Sequence, residues 1–213
     1  MGSLEIGRQG ARQRPLVAFD FDGTLSFRDS FMAFLAWRSG PLPYAIGLAR
    51  LLPAALAYLV DHDRGRLKAA AARVFLHGLK RAELEAACDA FSASPLGRRL
   101  IRPDAEQRWR QWKEAGAELV IVTASPEEVV APFARLLCAD QLIGTRLSFD
   151  ASDRVTGAFD GRNCRGPEKV LRLQAAYGEG VRLAAAYGDT SGDREMLALA
   201  EEKGYRVFTG QAR

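Results

Sequence analysis

The stretch "PLVAFDFDGTLS", residues 15–26, sets two aspartates one residue apart at the end of an apolar run. Leu16 to Phe19 read as a short buried strand, and Gly23 breaks it. Residues i and i+2 of a strand share a face, so Asp20 and Asp22 should emerge side by side. Like charges that close repel, and burying either without a partner is costly. The pair demands compensation.

Three later runs repeat the pattern. "AELVIVTAS" (117–125) reads as a strand stopping at Thr123, "VRLAAAYGD" (181–189) as one stopping at Asp189, and "YRVF" (205–208) as a shorter version. Helical patterns lie between them, at 102–116, 126–137, 167–178 and 192–204, several with Pro or Asp at the start and Gly at the end. Buried strands alternating with helices predict an α/β fold, a doubly wound (Rossmann-like) parallel sheet covered on both faces. Reactive groups of such folds sit beyond the carboxyl ends of the strands, where Asp20, Asp22, Thr123 and Asp189 all fall.

Residues 143–162 break the rhythm, because two strand-like runs flank "ASDR", and a β-hairpin is the better reading. Residues 28–98 contain no clear strand, which predicts an α-helical cap inserted after the first strand. The core is then 15–27 and 99–213, and residues 1–14, with Arg8, Arg12 and Arg14, form a flexible leader.

Composition bounds the rest. At 213 residues and 48% hydrophobic the chain can bury a substantial core. A net charge of +4 is mild, the basic residues are dispersed and no nucleic-acid motif is present, so no nucleic-acid partner is expected. Cys88, Cys138 and Cys164 are far apart, odd in number and without a CxxC pair, which suggests a reducing, cytoplasmic setting. With His62 and His77 the only histidines, a histidine metal site or a Ser-His-Asp triad is poorly supplied.

"DFDGTL", "VTAS", "GPEK" and "GDTSGD" occur in the order and approximate spacing of the haloacid dehalogenase-like (HAD) phosphohydrolase superfamily. "TASPEEVVAPFA" and "NCRGPEK" resemble its subfamily IB, which includes phosphoserine phosphatases and phosphatidylglycerophosphatase C. The resemblance spans about residues 15–210 and implies a Mg²⁺-dependent phosphomonoester hydrolase acting through an aspartyl-phosphate. Asp20 matches the nucleophile, and Asp22 the acid that protonates the leaving group and then activates water. That first role requires Asp22 to hold a proton above the ordinary carboxylate range.

The resemblance further implies Mg²⁺ held by Asp20, the backbone carbonyl of Asp22, and Asp189, with Asp193 as an orienting acid behind them. Thr123, Ala124 and Gly23 match the phosphate-binding positions, Lys169 matches the phosphate-neutralising cation, and Arg165 lies near enough to join them. The substrate implied is a phosphorylated small molecule or a lipid phosphate.

Two departures weigh against serine specificity. Gly23 stands where phosphoserine phosphatases usually have Ser, and Thr190, Ser191 and Gly192 stand where that group reads Gly-Ala-Asn. Phosphoserine phosphatase, a phosphomutase with the same residues, and a catalytically silent regulatory binding protein stay open as alternatives. Residues 41–60, "PLPYAIGLARLLPAALAYLV", carry Arg50 as their only charge. Pro41, Pro43, Pro53 and Arg50 interrupt a membrane span, so two short packed helices are the first reading. An apolar surface touching a bilayer, peripheral at the inner face of the membrane, or accepting an acyl chain is the second. Arg64, Arg66 and Lys68 just beyond suit anionic headgroups.

Overall fold

A computed structural model describes residues 14–210. Six strands build one sheet among them: β1 (Leu16–Phe19), β2 (Glu118–Pro126), β3 (Gln141–Phe149), β4 (Val155–Asp160), β5 (Leu183–Gly188) and β6 (Ala200–Tyr205). Their order is β4-β3-β2-β1-β5-β6, parallel throughout except for the antiparallel pair β3–β4. Alternate residues face opposite sides. Val17, Phe19, Leu119 and Ile121 join one apolar cluster, and Ala18, Val120 and Val122 join another. The central strands are therefore buried on both faces, as their unbroken apolar runs require.

Between β1 and β2 the chain runs through α1 (Ser30–Ser39), α2 (Pro41–Arg50), α3 (Leu52–Asp61), α4 (Arg64–Leu76), α5 (Arg81–Ala93) and α6 (Pro95–Arg98). Then follow α7 (Pro103–Glu114), α8 (Glu127–Leu136), α9 (Pro167–Tyr177) and α10 (Arg194–Ala198). Phe31, Phe34, Leu84 and Phe91 of the helical insert belong to the same cluster as Phe19 and Ile121 of the sheet. Phe91 meets Phe133 of α8 edge-on, with ring centroids 6.0 Å apart. The insert is thus continuous with the core, not a body with a separate core.

Several sequence expectations need correction. The helix expected at 192–204 ends at Ala198, and "AEEKGY" forms β6, so the strand lies upstream of 205–208. Ala, Glu and Lys favour helix, yet here they pair with β5 as an edge strand whose charges face water. Glu202 on it accepts from Arg108 at 2.6 Å and from Tyr187 at 2.5 Å, contacts that a propensity reading does not contain. The first arm of the hairpin is also a sheet strand, since β3 pairs parallel with β2 before turning back to β4. β2 itself runs past Thr123 to Pro126, with an irregular register between Val122 and Pro126. Of the leader, residues 1–13 lie outside the described residues. Arg14 is part of the fold, donating to the carbonyls of Gly116 at 3.1 Å and Ala117 at 2.7 Å and pairing with Asp140 at 3.2 Å.

Candidate active site

The chain leaves β1 for β2 and β3 on one side and returns to β5 and β6 on the other. Such a reversal opens a crevice beyond the carboxyl ends of the strands. Asp20 follows β1 directly, its backbone N–H donating to Tyr187 O at 2.9 Å and so extending the ladder to β5 by one residue. Asp189 follows β5. Asp20, Asp22, Gly23, Ala124, Lys169 and Asp189 line one cavity of about 670 Å³, together with Asp193 and Arg165. Thr123 is buried behind it, and its hydroxyl accepts from the backbone N–H of Ser125 at 3.1 Å.

Lys169 organises the floor. All three of its ammonium protons are used: Asp20 Oδ1 at 2.6 Å, Asp193 Oδ1 at 2.7 Å and the Val122 carbonyl at 2.6 Å. Burial alone would lower the lysine, but the Asp20 and Asp193 carboxylates outweigh it and hold the ammonium charged. A cation in the first turn of α9 opposes the helix dipole, so these two acids account for its place. Burial pushes the Asp20 carboxyl up to about 7, against the pull of Lys169 and with the push of Asp193 and Asp22.

Asp193 is saturated. Its Oδ2 accepts from the N–H groups of Asp189 (3.2 Å) and Thr190 (2.9 Å) and from the Thr190 hydroxyl (3.0 Å). Burial favours its neutral form, yet Lys169 and these donors keep it below the usual carboxylate range. Asp189 is the reverse case: burial and then Asp193 raise it, and its Oδ1 is buried with no hydrogen-bond partner among the described residues. Oxygens of Asp20, Asp189 and Asp193 lie within 4.8 Å of one another. Hard oxygen donors and an unsatisfied buried carboxylate oxygen fit a small divalent cation such as Mg²⁺. Asp20 and Asp189 are the acids with capacity left to hold it.

Asp22 sits in a different environment. Its Oδ1 accepts from the backbone N–H of Ser30 at 2.8 Å, and its Oδ2 accepts from the Ser125 hydroxyl. Burial raises its pKa, as does Asp29, while Lys68, Ser125 and Ser30 oppose the rise. Lys68 on α4 approaches Asp22 Oδ2 to 3.8 Å and Asp29 Oδ2 to 3.4 Å, and donates to Ser125 Oγ at 3.1 Å. Sequence reasoning placed Lys68 only as one of a basic trio beyond the apolar run and assigned Ser125 nothing. Lys68 lies 57 residues from Ser125, and no local pattern signals their meeting. Arg165 donates to the hydroxyls of Thr190 (3.1 Å) and Ser191 (3.0 Å), which packs it over the loop after β5.

Fold and site together describe a doubly wound α/β protein with carboxylates gathered at the strand ends. The family model for haloacid dehalogenase-like hydrolases matches residues 17–198, and the chain belongs to that family. It is 58% identical over 196 residues to Protein CicA of Caulobacter vibrioides, covering 92% of this chain and 87% of that one. Among solved structures it resembles a protein of unknown function from Bordetella pertussis Tohama I, with TM-score 0.71 and 25% identity over 87% of this chain and 86% of that one. A substrate-bound phosphoserine phosphatase complex shares the fold, with TM-score 0.63 and 20% identity over 92% of this chain and 87% of that one.

Proposed function

We propose that this chain is a Mg²⁺-dependent phosphomonoester hydrolase that works through an aspartyl-phosphate on a small organic or lipid phosphate. The observation that carries the reading is the unlike setting of two carboxylates in one cavity. Asp20 is held on a buried ammonium, whereas Asp22 is held by a hydroxyl and a backbone N–H. Paired acids with separated environments are the usual arrangement for nucleophile and proton donor.

In the first half-reaction an Asp20 carboxylate oxygen bonds to phosphorus as the ester P–O bond breaks. The departing oxygen takes the Asp22 proton and leaves as an alcohol. In the second, water attacks phosphorus, gives its proton to Asp22, and releases inorganic phosphate with Asp20 regenerated. Lys169 fixes the attacking oxygen and offsets phosphate charge, and Gly23 and Ala124, which line the cavity, are the positions assigned to the phosphoryl oxygens. Asp20, Asp189 and the Asp22 carbonyl would hold Mg²⁺, whose charge, when present, shields the nucleophile from the incoming anion. Asp193 acts through Lys169 and the Asp189 loop.

A panel of phosphoserine, nucleotides, sugar phosphates and lipid phosphates, run with Mg²⁺ and with chelator, tests this reading. Phosphate release that needs Mg²⁺ and vanishes in folded Asp20→Asn protein supports it. Turnover by clean Asp20→Asn protein would overturn it.

A further inference from the structure

The helices α2 and α3 are apolar on both sides. Tyr44, Gly47, Leu51, Ala55 and Tyr58 recur at helical spacing on the inner side, and Tyr44 packs on Phe75 of α4 with centroids 5.5 Å apart. Gly47 permits that approach, since a Cβ there would lie 2.2 Å from the Phe75 ring. Leu51, Ala55 and Tyr58 line the same cavity as the acids. The outer side is equally apolar and faces solvent: Leu42 is 70% exposed, Leu52 60%, Leu56 64%, Leu59 67% and Val60 84%. Seven of the twelve exposed large hydrophobic side chains among the described residues fall between Leu42 and Val60. Leu48 belongs to both surfaces, being 40% exposed and part of the cavity lining.

Resting on the phosphatase reading, we propose that the outer face of α2–α3 docks on an anionic bilayer and that the substrate is a lipid phosphate monoester. Its apolar body would lie along Leu48, Leu51 and Ala55 while its phosphate meets Asp20. Three observations favour a bilayer as the occupant. The two helices together have the length and hydropathy of a membrane segment, yet they bend by 49° at Leu51, so they suit lying in an interface and not crossing it. The apolar patch meets the cavity at Leu48, which is exposed and lines it, as transfer of an amphiphile from a surface requires. Residues 41–66 carry one more positive than negative charge, with Arg50 and Arg64 exposed and Arg66 paired to Asp61.

The full chain is tested by flotation with phosphatidylcholine vesicles, with and without phosphatidylglycerol, and by hydrolysis of vesicle phosphatidate against soluble para-nitrophenyl phosphate. The paired variant Leu56→Glu/Leu59→Glu alters exposed positions that do not line the cavity. Wild-type protein should float, more so with phosphatidylglycerol. The variant should lose at least about tenfold in vesicle association and in phosphatidate hydrolysis while hydrolysing para-nitrophenyl phosphate as before.

Wild-type protein that stays unbound to both vesicle types overturns the docking proposal, as does a variant that floats and cleaves phosphatidate like its parent. So does a wild-type dimer, seen by sedimentation, that the variant breaks while vesicle association is absent. Failure of wild-type protein to hydrolyse both phosphatidate and para-nitrophenyl phosphate, with flotation intact, overturns the phosphatase reading and leaves the docking surface standing.

Discussion

Gly23 and Asp189 share one space: a Cβ built on Gly23 would lie 2.2 Å from Asp189 Oδ2. Gly23 also has φ +82°, a conformation that side chains rarely adopt. Any side chain at 23 must therefore strain the turn and displace the acid that ends β5. Gly23→Ala should lower turnover by at least ~100-fold and stability by about 1–2 kcal/mol, measured by phosphate release and urea unfolding. Turnover close to the parent's would show that Asp189 is not needed where it stands.

Removing the cation at the floor should be worse for folding than removing an acid. Lys169→Met leaves Asp20 and Asp193 buried with no positive partner, a loss of about 3–5 kcal/mol. The double variant Lys169→Met/Asp20→Asn takes away one of the uncompensated charges and should regain part of that stability with no return of activity. Equal melting temperatures for parent and Lys169→Met would show that the ion network contributes nothing to the fold.

Lys68 provides a test of the role given to Asp22. Because Lys68 opposes the rise in the Asp22 pKa, Lys68→Met should let that pKa climb further. A proton donor is lost as pH rises through its pKa, so the alkaline limb of kcat/KM should move to higher pH, with kcat reduced about 10- to 100-fold. An alkaline limb that stays in place would remove Asp22 as the donor, or Lys68 as its neighbour.

These contacts mark where sequence reading reaches its limit. Apolar runs buried on both faces announce themselves, and β1, β2 and β5 were legible, with acids after β1 and β5, because burial and chain direction are local properties. Asp20, Asp22, Lys169 and Asp189 were legible through their motifs, and they do line one cavity. β6 was not, because pairing with β5 overrides the helical preference of "AEEK". Nor was the approach of Lys68 and Ser30 to Asp22, which depends on how the helical insert folds back over the strand ends. The exposed outer face of α2–α3 was only one of two readings that residues 41–60 allowed, since composition reports an apolar helix without saying which side is covered.

Glu128 offers a pH test remote from the acid cluster. It stands in the first turn of α8, one oxygen accepting from the Leu147 N–H at 3.3 Å and the other buried without a partner. Burial pushes its carboxyl up to about 7, from an ordinary value of 4.5. A raised acid holds its proton in the folded state after the unfolded chain has released it. Its contribution is thus fully present below pH 4.5 and is lost as pH rises toward 7. Glu128→Gln carries no charge at any pH, and the amide still accepts from Leu147. The variant should be more stable than the parent by about 1–2 kcal/mol above pH 7, with the unpaired amide nitrogen holding the gain below the full shift. That advantage should shrink as pH falls toward 4.5, and urea unfolding of both proteins at the two ends of the range measures it. A stability difference that does not change with pH would mean that Glu128 is solvated well enough to ionise freely.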